Sequence, residues 1–317
     1  MMGRPEPCEP GTRPSVIVQR DEDAHLLLAS NIGLGNNATR LDAQSELRRS
    51  TAGSEGRDMK IAVCVKQVPD TWAEKALKPE DSTLDRASAD GVLNELDEYA
   101  VEEALQIAEA HGGEVTVVSM GPDRAAETVR KALSMGADAG IHILDDALHG
   151  SDAIATSAVL AAALADKGFD LIVFGSESTD ARMSVVPAMV AERLGLAQVT
   201  FAQRVSVSGD EVTIERVTDY GFDTVTAKLP AVVSVVEKIN EPRYPSFKGI
   251  MAAKKKPVET VGVADLGLEP ASVGQAAAWS GVRDFAARPA KAAGTVIADE
   301  GDGASKLATY LTEQKFI

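Results

Sequence analysis

From Met59 onward the chain alternates short β-branched apolar runs with longer amphipathic stretches, and this alternation limits the fold more than any other feature. Residues 60–65 (KIAVCV), 114–119, 139–144 and 171–174 read as buried strands. Between them, residues 94–110, 124–135 and 151–166 carry the longer apolar period of helices. Strands separated by helices of this length imply right-handed crossovers and a parallel sheet covered on both faces. The class is therefore α/β, in three layers. Around residue 200 the period changes, because residues 205–214 alternate on both sides of a Ser-Gly-Asp-Glu turn, which marks a β-hairpin extension. A further strand is expected at 231–236.

The two ends of the chain lack this pattern. Residues 1–58 show no sustained period and close on LRRSTAGSEGRD, a connector-like stretch. They are set aside from the fold as a disordered or mis-assigned extension, with Met59 as the natural start. Residues 59–256 form the expected α/β domain, and 257–317, poor in large apolar residues, are expected to be an arm packing on another subunit.

Composition removes several function classes. A net charge of −16 over 317 residues argues against a nucleic-acid or anionic-membrane surface. Two cysteines, Cys8 and Cys64, are too few for a disulfide framework or a thiolate metal site. His25, His111, His142 and His149 are scattered without metal-ligand spacing. No run approaches the ~18 apolar residues of a membrane span, and the first residues lack a secretory apolar region, so the cytoplasm is the expected compartment. The nucleophile elbow, the P-loop and the GxGxxG fingerprint are all absent, which leaves no catalytic apparatus in view.

The strand ends are richer. Residues 66–70 (KQVPD), 120–123 (MGPD) and 175–184 (GSESTDARMS) follow three of the strands. In open α/β sheets ligands lie beyond the carboxyl ends of the strands, where helix N-termini aim amides at phosphate. These turns mark a candidate nucleotide pocket, although Gly, Ser and Asp serve equally well as turns and caps. A basic island, Arg243, Lys248 and Lys254 to Lys256, interrupts the acidic chain, and Phe247 lies in NEPRYPSFKG, where Pro245 and Gly249 favour an exposed loop.

Residues 59 to about 268 resemble the electron-transfer flavoprotein beta-subunit family, closest to its actinobacterial members, in KIAVCVKQVPDT, LNELDEYAVEEAL, VSMGP, VRKALSMGADAGIH, LPAVVSV and INEPRYPSFKGIMAAKKKP. The resemblance implies a Rossmann-like sheet of adenine-nucleotide-binding type that holds a structural AMP. It also implies a heterodimer whose alpha subunit carries FAD. The chain would be an electron carrier subunit, not an enzyme. It would take electrons from soluble dehydrogenases of the acyl-CoA type in fatty acid beta-oxidation and pass them to a membrane quinone reductase. By motif, AMP contacts fall on Cys64, Asn94, Glu95, Leu96, Asp97, Met120, Ser176, Asp180, Arg182, Ser184, Val185 and Val186. Partner recognition falls on Tyr244, Phe247, Lys248, Ile250 and Met251, and Thr71 and Trp72 lie near the flavin. Where many members carry Asn-Gln-Thr-Gly this chain has residues 179–187, with Arg182 and Ser184 as the polar substitutes. Two alternatives stay open: a bifurcating subunit with a second FAD in the nucleotide site, and a stand-alone adenine-nucleotide sensor.

Overall fold

The structure, a computed structural model, describes residues 16–20, 58–286, 289, 294, 296 and 298–317. The strands are β1 (Val16–Arg20), β2 (Met59–Cys64), β3 (Gln67–Pro69), β4 (Gly91–Leu93), β5 (Gly113–Met120), β6 (Ala139–Ile143), β7 (Leu171–Gly175), β8 (Ala197–Ser208), β9 (Glu211–Thr218), β10 (Gly221–Lys228), β11 (Ala231–Val235) and β12 (Val258–Val261). The helices are α1 (Glu95–His111), α2 (Ala126–Met135), α3 (Ala153–Leu164), α4 (Val186–Leu194), α5 (Phe247–Ala253), the single-turn α6 (Gly274–Ala277) and α7 (Gly303–Glu313).

All but β3 and β4 join one sheet in the order β1-β10-β9-β8-β11-β7-β2-β5-β6-β12. From β8 to β12 every neighbouring pair is parallel, and from β8 to β1 every pair is antiparallel. Side chains alternate across the strands, so each face carries its own apolar set. Ile61, Val63, Val115, Val117 and Val173 pack under α1 and α2 with Val101, Leu105, Val129 and Leu133. Ala62, Cys64, Val118, Ile172 and Phe174 pack on the other face with Val159, Leu164 and Val190 from α3 and α4. The chain runs outward from β2 through β5 to β6, then returns to the far side of β2 as β7. That reversal opens a crevice between the carboxyl ends of β2 and β7.

Three expectations need correction. Residues 257–317 are not an arm from their start, because β12 pairs with β6 and Val261, Val263 and Val273 are buried in the core. Only the segment from Arg283 forms a separate unit, in which α7 leaves Leu307 and Tyr310 exposed. Residues 1–58 do contribute to the sheet, since Val16–Arg20 runs antiparallel along β10; a five-residue strand is too short to raise a clear period. The rest of that extension lies outside the described residues. Phe247 begins helix α5 instead of sitting in a loop, because Ser246 caps the helix by accepting the Gly249 N–H at 3.0 Å.

Candidate functional site

Three segments distant in sequence meet at the crevice. Asn94 is the N-cap residue of α1, yet its side chain caps none of that helix's backbone N–H groups. Instead Nδ2 donates to the Glu177 carbonyl at 2.9 Å, and Oδ1 accepts the Thr179 N–H at 3.0 Å. The N-terminal amides of α1 have no side-chain cap. Gly175 ends β7 against the same turn: a Cβ there would stand 2.5 Å from Asp97 Oδ1 and 2.8 Å from the Leu96 carbonyl carbon, so only glycine fits. Asp97 is buried and accepts the Lys66 N–H at 2.8 Å. Burial raises its carboxyl to about 7, against the opposing hydrogen bonds from Asn94, Lys66 and Gly175.

Charge enters beside this turn. Lys66 Nζ lies 2.8 Å from Asp180 Oδ1 and 3.3 Å from Ser178 Oγ, and Arg86 reaches Asp180 Oδ2 at 2.9 Å. The Asp180 side chain is 1 % exposed, so its carboxylate serves this cation pair and not an incoming ligand. Burial would raise that carboxyl, but Lys66 and Arg86 outweigh burial and hold it near 2. Burial pulls the Lys66 ammonium below its usual value, with Asp180 opposing. Arg182 and Ser184 turn to Glu177 in the same way: the guanidinium pairs with it at 3.6 Å and the Ser184 hydroxyl donates to Oε2 at 2.9 Å. Both residues adopt left-handed backbone, φ 49° and 54°. Of the residues expected to contact AMP, Asp180 is thus engaged by Lys66 and Arg86 from outside the loop, Ser184 by Glu177 within it, and Arg182, paired with Glu177 only at 3.6 Å, keeps a largely exposed side chain.

What remains for a ligand is chiefly backbone and cation. Helix α4 starts at Val186 with no side-chain cap from Val185 and with Pro187 in its first turn. Its N-terminal amides suit an anion, and among the described residues at this site the buried Arg86 Nη1, Thr179 Oγ1 and, its ion pair with Arg86 aside, the acceptor Asp180 Oδ2 have no hydrogen-bond partner. Such orphaned donors fit a phosphate or ribose. Arg86 was absent from the expected site, and Lys66 entered it only as part of the turn at residues 66–70. Lys66 could have been read from its place just past β2, whereas nothing local marks Arg86. Ser176 and Cys64 are buried and Met120 half-buried at the strand ends, while Leu96, Val185 and Val186 are half-buried and Glu95 is exposed. Burial pushes the Cys64 thiol up, so it packs as an apolar group. Thr71 Oγ1 donates to Glu95 at 3.0 Å, and Trp72 beside it is almost fully exposed. Open depressions at Gln203, Arg204 and Glu215, and at Lys60, Glu114 and Glu259, lie at other parts of the sheet and lack these converging donors.

A second surface lies on the connection from β11 to β12. Tyr244 is 95 % exposed, Phe247 80 %, and Ile250 and Met251 nearly half. Phe247, Ile250 and Met251 follow helical i, i+3, i+4 spacing and so share one face of α5. Lys248, Lys254 and Lys255 are exposed around it. Arg243 and Lys256, expected in the same basic island, point inward: Arg243 pairs with Glu102, and Lys256 donates to carbonyls at the end of α2.

A family model described as "Electron transfer flavoprotein domain" matches residues 81–266. The electron transfer flavoprotein subunit beta of Mycobacterium leprae is 54% identical over 263 residues, covering 81% of this chain and 99% of that protein. The subunit of the same description from Mycobacterium tuberculosis (strain ATCC 25618 / H37Rv) is 53% identical over the same length and with the same coverage. That of Megasphaera elsdenii is 35% identical over 264 residues, covering 81% of this chain and 97% of that protein.

Proposed function

The chain belongs to the electron transfer flavoprotein beta-subunit family, and from that membership we propose that it is the docking and nucleotide-holding half of a heterodimeric electron carrier. Its partner is an alpha subunit, and FAD bound at that complex supplies the redox chemistry. The pair receives electrons from soluble dehydrogenases of the acyl-CoA type and delivers them to a membrane quinone reductase. We read it as cytoplasmic. Among the described residues no helix is long and apolar enough to cross a membrane.

The observation that carries this reading is the solvent-facing quartet of Tyr244, Phe247, Ile250 and Met251. Exposed apolar side chains at Phe247, Ile250 and Met251 on one short helix, with Tyr244 just before it, form an apolar patch, which marks an interaction surface. A single buried aromatic dominates small transient interfaces, which suits a carrier that must dock and leave. In this reading AMP lies at the β2–β7 crevice. Its phosphate meets the amides of Ser184, Val185 and Val186 and the cations Lys66 and Arg86, and Asn94 to Asp97 line the nucleoside side. Thr71 and Trp72 face the flavin across the subunit interface. The exposed Leu307 and Tyr310 of α7 seat the C-terminal arm on the alpha subunit.

Phe247→Ala tests the proposal. Docking should weaken by about 2 kcal/mol, roughly thirtyfold, while FAD, AMP and the alpha partner are retained. Reduction by an acyl-CoA dehydrogenase should fall and reduction by dithionite should not. Equal rates in both assays for the variant and the parent protein would overturn the docking assignment.

A further inference from the structure

The docking helix sits on a connection that belongs to no strand, running from Val235 at the end of β11 to Val258 at the start of β12. A free connection of this length would have to be ordered each time a partner bound, and that ordering would weaken docking. Here it is tied to α1 and α2 at several points. Asn240 Nδ2 donates to the Tyr99 carbonyl at 3.0 Å and to Glu103 at 2.9 Å. Arg243 forms a fork with Glu102, Nε to Oε2 at 2.7 Å and Nη2 to Oε1 at 3.0 Å, and its Nη1 reaches Glu109. At the other end Lys256 Nζ donates to the carbonyls of Leu133 at 3.1 Å and Gly136 at 2.9 Å, at the C-terminus of α2. Arg130 of α2 returns the contact, donating to the Ala253 carbonyl at 2.7 Å at the C-terminus of α5. Each helix end, where carbonyls concentrate negative charge, thus receives a cation from the other element.

Glu102 and Glu103 make the arrangement more than incidental. Both are buried on α1, where carboxylates are costly unless paired, and the paired groups from outside α1 are Arg243 and Asn240. We propose that Arg243 and Lys256 are positioning residues, which hold α5 at a fixed orientation so that Phe247 meets its partner already ordered. This rests on the docking reading above. The basic residues available to a partner are then Lys248, Lys254 and Lys255, while the two inward cations act through the helix.

The test uses the FAD-loaded heterodimer as electron acceptor for an acyl-CoA dehydrogenase reduced by its own acyl-CoA. Arg243→Gln should raise KM for the heterodimer about tenfold with kcat within about twofold, leave dithionite reduction unchanged, and speed hydrogen exchange of the α5 amides. Glu109→Gln, which removes only the exposed arm of the fork, should give a smaller rise in KM. Arg243→Lys, which keeps the charge without the fork, should recover part of the loss. The double variant Arg243→Gln/Phe247→Ala should be no worse than Phe247→Ala by more than about twofold, since positioning acts only through the anchor. Multiplicative losses in the double variant, or an unchanged KM in both Arg243→Gln and Glu109→Gln while Phe247→Ala raises it, would refute positioning. An unchanged KM in Phe247→Ala would instead refute the docking reading and this inference with it.

Discussion

The Asn94 carboxamide accepts the Thr179 N–H at 3.0 Å across 85 residues of chain, and with its other end it holds the Glu177 carbonyl. One side chain therefore sets the distance between the start of α1 and the loop that leads into α4. Asn94→Ala leaves the half-buried Thr179 amide and Glu177 carbonyl without their partner, a cost of about 1 kcal/mol. We expect a lower urea midpoint and less adenine nucleotide retained after purification. Nucleotide content equal to the parent protein would show that the crevice does not depend on this clamp.

Gly249 approaches α2 so closely that a Cβ would stand 2.4 Å from the Ser134 carbonyl oxygen. Backbone cannot yield as a side-chain tip does, so Gly249→Ala must push α5 away from α2. The expected loss is about 1–3 kcal/mol in stability, with weaker dehydrogenase docking. Chemical denaturation and the dehydrogenase assay read the two effects separately, and an unperturbed docking rate would mean the helix tolerates the shift.

Asp97 has a folded-state value of about 7, above the ordinary aspartate value of 3.8, and so favours the folded state when protonated. Its contribution is complete below about pH 4 and is lost as pH rises through 7. Asp180 has the opposite sign: held near 2, its contribution is complete above about pH 4 and is lost as pH falls towards 2. Asp97→Asn should therefore flatten the decline in stability between about pH 4 and 7, by an amount on the order of 4 kcal/mol. Urea unfolding at a series of pH values measures this, and an identical slope in the variant would exclude Asp97 as the titrating group.

Removing residues 1–58 takes β1 away from the outer edge of β10 but leaves β10 paired to β9 along its whole length. The shortened chain should unfold cooperatively, with its midpoint lowered by a few degrees. Its exposed edge should promote self-association at high concentration, visible by light scattering. Aggregation during expression would instead give the extension a role in folding.

The layered α/β fold was legible because its signal is local. The runs at 60–65, 114–119, 139–144 and 171–174 match β2, β5, β6 and β7 to within two residues at either end, and the Ser-Gly-Asp-Glu turn does join β8 to β9. Apolar period depends only on which face each residue presents, and a few turns of chain are enough to show it. Helix α4 and strand β12 were missed. One begins at Val186 and Pro187 directly after a polar loop, and the other is a four-residue edge strand with exposed Glu259 and Thr260.

The motifs at 66–70, 94–97 and 175–184 indicated which strand ends matter, and the exposure of Phe247 followed from its proline- and glycine-rich surroundings. What each polar group does there was decided by tertiary structure. Asp180, Arg182 and Ser184 looked free for a ligand in the sequence, yet Lys66, Arg86 and Glu177 occupy them; Arg243 and Lys256 looked like a surface for partners, yet Glu102 and the end of α2 hold them. The Lys66 and Arg243 pairings span 114 and 141 residues of chain. Apolar burial repeats along the chain and so is written in its period. A hydrogen bond or ion pair depends on which single group the folded chain brings within 3 or 4 Å, and no local pattern encodes that.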